Sequence, residues 1–251
     1  MSVPEILKQS LLDKGCCGTL FSGGYDSEVL LRSAVRVIGA SNVVPLTADT
    51  ELLAGFYRRH ILSVAEELCV EPLFVPLDPL SCREFARNTD MRCYICKKGL
   101  YTSLKAEALA RGCITVMDGT NTDDLNEYRP GLAAAAETGI AHPFLEACMG
   151  RSDITELGVF LGVREYPSDS CLATRIPRGQ MITSELLTLI ESMEAPLRPS
   201  VKGRFRVIVG TGSLHINYSV VDEKLVENNL GQLKRIAEKS GHEIELHRLD
   251  T

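Results

Sequence analysis

Between residues 16 and 118 short apolar runs alternate with longer stretches of helical periodicity. Residues 16–21 form a compact apolar run that stops at Ser22-Gly23-Gly24, which reads as a buried strand and its turn. Residues 26–38 follow, with Val29, Leu30, Ala34, Val37 and Ile38 along one helical side. Next come a strand over 42–48, a helix over 52–68, a strand over 73–77, a helix over 96–111 and a strand over 114–118. A short helix over 4–14 precedes them, and Pro45 inside the second strand suits an edge or a bulge. This alternation specifies an α/β fold: a parallel sheet with helices on both faces. Such sheets place ligand sites at the carboxyl ends of their strands, so chemistry is expected in the turns at 22–27 and 119–124.

The rest of the chain changes character. Residues 119–180 read as loop-rich, with one helical stretch at 153–161. Residues 182–251 read helix (183–193), strand (204–209), strand (214–219), helix (223–239) and strand (243–249). Leu214, Ile216 and Tyr218 alternate with His215, Asn217 and Ser219, which gives a small antiparallel α+β domain with one open face. Two domains are therefore expected, over 1–180 and 181–251.

Composition excludes several function classes. Apolar residues are 45% and charged residues 24%, as in ordinary globular proteins. No run of about 18 apolar residues occurs, so no membrane-spanning helix is expected. The start, MSVPEILKQS, lacks the basic head and apolar stretch of a secretory leader, so a cytoplasmic protein is expected. Lys plus Arg number 27 against 33 Asp plus Glu, a net charge of −6 that argues against a nucleic-acid partner held by charge. Nine cysteines in a reducing compartment are thiols rather than disulfides: packing residues, ligands or nucleophiles.

Ser22-Gly23-Gly24-Tyr25-Asp26-Ser27 stands where the first strand passes into the first helix. Two glycines let the main chain turn tightly and present N–H groups, and the helix directs its positive end at the same point. Ser22 and Ser27 add hydroxyl donors. An anion fits here, a pyrophosphate best, although a plain strand–helix turn would look similar. No Lys-Ser/Thr pair follows as in a Walker loop, and the three spaced glycines of a dinucleotide fingerprint are missing. Residues 118–124 follow the fourth strand. Asp124, then Asp26, are the candidate Mg²⁺ ligands, since Mg²⁺ takes oxygen donors, and Asp and Asn also form turns. Asp49 closes the second strand, where it would border an adenosine.

Cys171 lies in Pro167-Ser168-Asp169-Ser170-Cys171-Leu172-Ala173-Thr174-Arg175, a loop whose arginine would favour a thiolate. Cys93 and Cys96 form a C-x-x-C between Arg92 and Lys97. That is half a zinc site, a redox pair, a structural pair, or two of three iron–sulfur ligands with Cys171. Cys16, Cys17, Cys69, Cys82, Cys113 and Cys148 read as packing. Arg204 and Arg206 lie two apart on a strand and so share a face, where they hold a phosphate or meet solvent.

Ser-Gly-Gly-x-Asp-Ser in this position resembles the PP-loop of the ATP pyrophosphatase superfamily, which includes tRNA thiolases and the NAD and GMP synthetases. Four further motifs come in order. They are Arg92-Cys93-Tyr94-x-Cys96-Lys97, Asp118-Gly119-Thr120-Asn121-x-Asp123-Asp124, Tyr128-Arg129-Pro130-Gly131, and Cys171-Leu172-Ala173-x-Arg175-Ile176-Pro177-x-Gly179. Together they are similar to the LarE family of ATP-dependent sulfur transferases, which act in assembly of the nickel-pincer nucleotide cofactor of lactate racemase. The resemblance spans about residues 15–210. It implies ATP and Mg²⁺ as cofactors, with ATP cleaved to AMP and pyrophosphate on Ser22, Gly23, Gly24, Asp26, Ser27, Asp49 and Gly119. It implies a pyridinium mononucleotide substrate bearing two carboxylates, its phosphate held by Arg175, Arg204 and Arg206. Cys171 would supply the sulfur and be left as dehydroalanine, unless an iron–sulfur cluster on Cys93, Cys96 and Cys171 relays sulfide instead. A homo-oligomer is implied as well. The alternatives are a PP-loop tRNA thiolase or an amide-forming synthetase. This chain carries Arg178 where the family's segment has Tyr, and His142 where Ser precedes the Pro, departures that bear on the substrate.

Overall fold

The computed structural model describes residues 2–126, 130–164 and 169–250; Tyr128, Arg129, Pro167 and Ser168 of the motifs above lie outside them. The elements in order are α1 (Glu5–Lys14), β1 (Cys17–Leu20), α2 (Tyr25–Ile38), β2 (Val43–Asp49), α3 (Gly55–Glu67), β3 (Leu73–Pro76), α4 (Arg83–Ala86), α5 (Arg92–Ala110) and β4 (Thr115–Met117). They continue with α6 (Pro130–Thr138), α7 (Pro143–Glu146), α8 (Arg151–Phe160), α9 (Ser184–Glu194), β5 (Phe205–Val209), β6 (Ser213–Ser219), α10 (Glu223–Lys239) and β7 (Glu243–Leu249). No described helix is long and apolar enough to cross a membrane.

The chain gathers into two compact units. The first comprises Met1–Asp49, Tyr57–Leu77 and Cys93–Glu165, and the second Thr50–Phe56, Asp78–Arg92 and Tyr166–Thr251. The second unit thus includes two segments from the first half of the chain. Leu172 N–H donates to the Leu52 carbonyl (3.2 Å), and Gly55 N–H to Glu191 Oε1 (2.9 Å), which tie one of them in.

The first unit is α/β, with a four-stranded sheet of order β3-β2-β1-β4 in which every pairing is parallel. All four residues of β1 are buried, as expected for a strand covered on both faces. One face, with Leu20, Leu46 and Val116, packs against Leu104 and Ala108 of α5 and Ala134 and Ala135 of α6. A Cβ on Gly18 would stand 3.1 Å from Ala108 Cβ, so α5 rests on the bare strand backbone there.

Pro45 lies in an inner strand, not at the edge its ring suggested. Pairing with β3 begins only at Leu46. The Leu46 carbonyl accepts from Phe21, so Leu46 turns its polar groups to β1 and Pro45 turns its own to the other side. The missing N–H therefore falls one residue before β3 begins. A helix also forms over Pro130–Thr138, inside the stretch expected to be loop. Its sequence PGLAAAAET carries its own explanation: proline at the first position and alanine, the best helix former, in the body.

The second unit holds the three-stranded sheet β5-β6-β7. It is mixed rather than antiparallel, because β6 and β7 run parallel. The 17-residue α10 carries the chain back to the starting edge, as a parallel connection requires. Phe205, Val207, Leu214 and Ile216 are buried with Leu187 and Ile190 of α9 and Val226 and Leu233 of α10, while Arg206, His215, Asn217 and Glu245 on the opposite face are not.

Candidate functional site

β1 lies between β2 and β4, and the chain winds first to β2 and β3 and later to β4 on the other side. The turns after β1 and β4 therefore flank the point where strand order reverses, the usual ligand crevice of an open parallel sheet. Gly23 takes φ +79°, and a Cβ there would stand 3.1 Å from Tyr57 Cβ, so chirality and space both demand glycine. Gly24 opens α2 with no side-chain cap, and the positive end of the helix points into the turn. Ser27 Oγ donates to the Gly24 carbonyl (2.7 Å) and stands 3.3 Å from Ser22 Oγ.

Gly119 brings the second turn against the first. A Cβ there would meet the Asp26 carbonyl carbon at 3.0 Å and Ser27 N at 3.1 Å. Asn121, fully buried, closes the junction: its Nδ2 donates to Asp26 Oδ2 (3.0 Å) and its main-chain N–H to Asp124 Oδ2 (3.1 Å). Both candidate Mg²⁺ carboxylates are thus held by one residue, and their oxygens are the donor type that ion takes. Asp49, at the end of β2, pairs with Arg58, whose guanidinium lies 4.4 Å over the Phe74 ring.

Asp118, at the foot of the same turn, entered the sequence reading as the head of the 118–124 motif and without a role of its own. Its carboxylate accepts from Tyr101 Oη (2.9 Å) and Thr120 N–H (3.0 Å), and His142 Nδ1 stands 2.7 Å away. Burial opposes its charge, but the His142 contact and the charges of His142 and Lys97 outweigh burial and bring its pKa down to about 2. Burial and the Asp118 charge push the Tyr101 phenol up.

Cys93 and Cys96 lie half-buried on the first turn of α5, three residues apart and so on neighbouring positions of one face. None of the nine cysteines is in a disulfide. Cys17 and Cys113 are packing residues: burial pushes their thiols up to about 12 and about 11. Cys69 and Cys148, expected in the core, are instead exposed at φ +53° just past α3 and α7. Each donates its N–H to a carbonyl of the preceding helix, the place of a C-terminal cap.

The second unit presents Cys171 at its surface, at the head of a short turn over Leu172–Arg175. The turn is fixed from below. Arg175 is fully buried, and its Nη1 donates to the carbonyls of Ser170 (2.7 Å) and Cys171 (3.4 Å) and to Thr174 Oγ1 (3.0 Å). Its Nε donates to Glu194 Oε1 (3.0 Å) and its Nη2 to Asp169 Oδ2 (2.6 Å). Arg175 therefore reaches Cys171 through the main chain, and its guanidinium is engaged with protein groups. Arg206 Nε reaches Asp169 Oδ1 (3.0 Å) from the open sheet face, and Arg204, one residue before β5 begins, is exposed. Arg198 pairs with both Glu194 and Asp169. Asp169 is held below its usual range because the Arg175 and Arg198 charges overcome burial. Arg206 is pulled down, by burial first and also by the charges of Arg175 and Arg204. Among the described residues the cluster sets three guanidinium groups against two carboxylates.

Asn88 holds the far end of the same segment. It is buried at φ +56°, and its Nδ2 donates to the carbonyls of Ile176 (3.1 Å), Pro177 (2.8 Å) and Gln180 (2.9 Å). Its Oδ1 accepts from Arg92 Nη1 (2.6 Å). Sequence reasoning missed Asn88, Glu194 and Arg198. A Glu on the apolar side of α9 was the one available signal.

No family model matches the chain. Among curated proteins it is 34% identical over 191 residues to the pyridinium-3,5-bisthiocarboxylic acid mononucleotide synthase of Lactiplantibacillus plantarum, covering 74% of this chain and 69% of that one. It is 41% identical over 187 residues to an uncharacterised protein of Methanocaldococcus jannaschii, covering 74% and 71%. An uncharacterised protein of Synechocystis sp. is 33% identical over 180 residues, covering 71% and 67%.

Proposed function

The chain belongs to the LarE family of pyridinium-3,5-bisthiocarboxylic acid mononucleotide synthases, and on that premise we propose that it is an ATP-dependent sulfur transferase that uses Cys171 as its sulfur source. The observation that carries the proposal is the surface cysteine on a turn locked from beneath by Arg175, Asp169 and Glu194. The PP-loop reading rests on the turn at 22–27, where a positive-φ glycine, a helix start and Gly119 converge at the switch point of the sheet.

The chemistry runs in three steps. A substrate carboxylate oxygen attacks the α-phosphorus of ATP, and pyrophosphate leaves into the cradle of Ser22, Gly23, Gly24 and Ser27. The Cys171 thiolate attacks the acyl-adenylate carbon, AMP leaves, and a thioester joins protein to substrate. A base removes the Cys171 Cα proton and the Cβ–S bond breaks. The electron pair stays on sulfur, so the substrate departs as a thiocarboxylate and the protein keeps dehydroalanine. Asp26 and Asp124 would hold Mg²⁺, which when bound offsets phosphate charge. Arg204 and Arg206 hold the phosphate of a pyridinium bis-carboxylate mononucleotide, an anion that suits their guanidinium groups. Arg175 acts as a positioning residue. The protein works in the cytoplasm as a homo-oligomer, without nucleic acid.

A second reading has one supporting observation, the half-buried Cys93 and Cys96 on the first turn of α5. With Cys171 they would hold an iron–sulfur cluster, which when bound supplies an exchangeable sulfide. Intact-protein mass spectrometry after incubation with Mg-ATP and the bis-carboxylate nucleotide, without added sulfide, separates the two. A loss equal to one H₂S mapped to Cys171 is expected. Thiolated product with an unchanged protein mass would overturn the sacrificial reading and favour the cluster. Release of ADP instead of AMP would overturn the PP-loop reading itself.

A further inference from the structure

The open face of the C-terminal sheet carries a cluster that this reaction leaves unused. In the β6–β7 register His215 stands opposite Glu245 and Asn217 opposite His247, so His215, Glu245 and His247 share one face. His215 Nδ1 lies 2.9 Å from His247 Nε2 and 3.3 Å from Glu245 Oε2, and His247 Nε2 lies 3.7 Å from that same oxygen. Donor atoms about 2.05 Å from a tetrahedral zinc stand about 3.3 Å from one another. The three atoms are therefore already spaced as one face of a coordination polyhedron.

Two features outside the triangle support it. His215 Nε2, the nitrogen turned away from the cluster, stands 3.3 Å from Ser213 Oγ. An imidazole that binds metal through one nitrogen is commonly oriented by a hydrogen bond at the other. Gly210 leaves that nitrogen its room, since a Cβ there would stand 2.3 Å from it. The donor set also selects among ions. Two imidazoles and one carboxylate suit zinc, nickel or copper, whereas Mg²⁺ and Ca²⁺ prefer oxygen alone.

We propose that His215, Glu245 and His247 bind one divalent transition-metal ion of the zinc–nickel class on the open face of β6 and β7. The site does not depend on the sulfur-transfer reading, because its residues take no part in that chemistry. Three protein ligands leave the remaining coordination positions to water or to another donor. The ion would pin β7, an edge strand bonded only to β6 among the described strands, to its neighbour.

Equilibrium dialysis of the full-length protein against Ni²⁺, paired with thermal unfolding, tests this. One equivalent is expected to bind to the wild type and to a Cys93→Ser, Cys96→Ser variant, and to be lost in His215→Gln and in His247→Gln. Added Ni²⁺ should raise the melting temperature of the wild type and not that of His247→Gln, as binding to the folded state alone requires. His247 is half exposed, so its metal-free variant should melt with the wild type. Ser213→Ala should weaken binding by roughly tenfold. Retention of the equivalent in the His215→Gln, His247→Gln double variant, or absence of any bound equivalent in the wild type, would overturn the proposal.

Discussion

The turn at 22–27 and the turn at 171–175 carry the proposed reaction, yet they are built in opposite ways. The first is made of main chain. Gly23 supplies the conformation, Gly119 supplies the close approach, and α2 supplies the field. The second is made of side chains drawn from distant segments. Arg175, Asp169, Glu194 and Arg198 form a buried charged cluster beneath an exposed thiol, and Asn88 pins the segment that follows. A main-chain site needs few residues and tolerates its neighbours' side chains. A charged strut fails when any one partner is removed, because the others are left buried without compensation.

That contrast sets the largest expected effect. Arg175→Met should destabilise the fold by about 3–5 kcal/mol in urea unfolding, since Asp169 and Glu194 would keep only Arg198 of the two cations they share and the turn would lose its strut. A loss below about 1 kcal/mol would mean that the cluster is loosely hydrated, and the contrast between the two turns would dissolve. Asn88→Ala should cost about 2–4 kcal/mol, combining lost hydrogen bonds with an alanine forced to positive φ. Asn88→Gly should recover about 1 kcal/mol of that by relieving the backbone alone. Equal losses in the two variants would assign the whole effect to the amide.

The same contrast explains what could be read in advance. The parallel sheet, the position of the 22–27 turn and the α10 stripe follow from local periodicity and from glycines, which act over a few residues. Asp118 and Asn121 sat in a stretch already marked as chemical, yet Asp118 meets Tyr101 of α5 and His142 from the segment before α7, and Asn121 meets Asp26 of α2. Asn88 and Glu194 were silent, because nothing near them in the chain shows that Asn88 meets the carbonyl of Pro177, 89 residues on, or that Glu194 meets Arg175, 19 residues back. The direction of β7 was missed because alternation within a strand says nothing of its neighbour's direction. Cys69 and Cys148 show the converse: an apolar neighbourhood in sequence that ends as an exposed helix cap.

The pH dependence extends the comparison to the first unit. Asp118 is held near pH 2 in the folded state against an ordinary value of 3.8. A lowered carboxylate contributes stability that is fully present above about pH 4 and is lost as pH falls through 2. The shift corresponds to about 2 kcal/mol. Melting temperatures of wild type and Asp118→Asn should therefore differ by a constant amount at neutral pH and converge between pH 4 and pH 2. Parallel curves down to pH 2 would show that His142 and Tyr101 do not stabilise the Asp118 charge.

The smallest expected effect separates the two glycines of the first turn. Gly23→Ala must place an L-residue at φ +79° with its Cβ 3.1 Å from Tyr57, which should cost about 1–2 kcal/mol and weaken ATP binding. Gly24 sits at φ −83°, and a Cβ there meets only Ser22 Oγ, at 3.4 Å. Gly24→Ala should leave stability within about 0.5 kcal/mol of wild type. Any loss of ATP binding in that variant then reports crowding of the bound phosphates, because the fold itself has not moved. If Gly24→Ala binds ATP as the wild type does, the phosphates do not lie against the start of α2, and the pyrophosphate cradle must be sought elsewhere in the first unit.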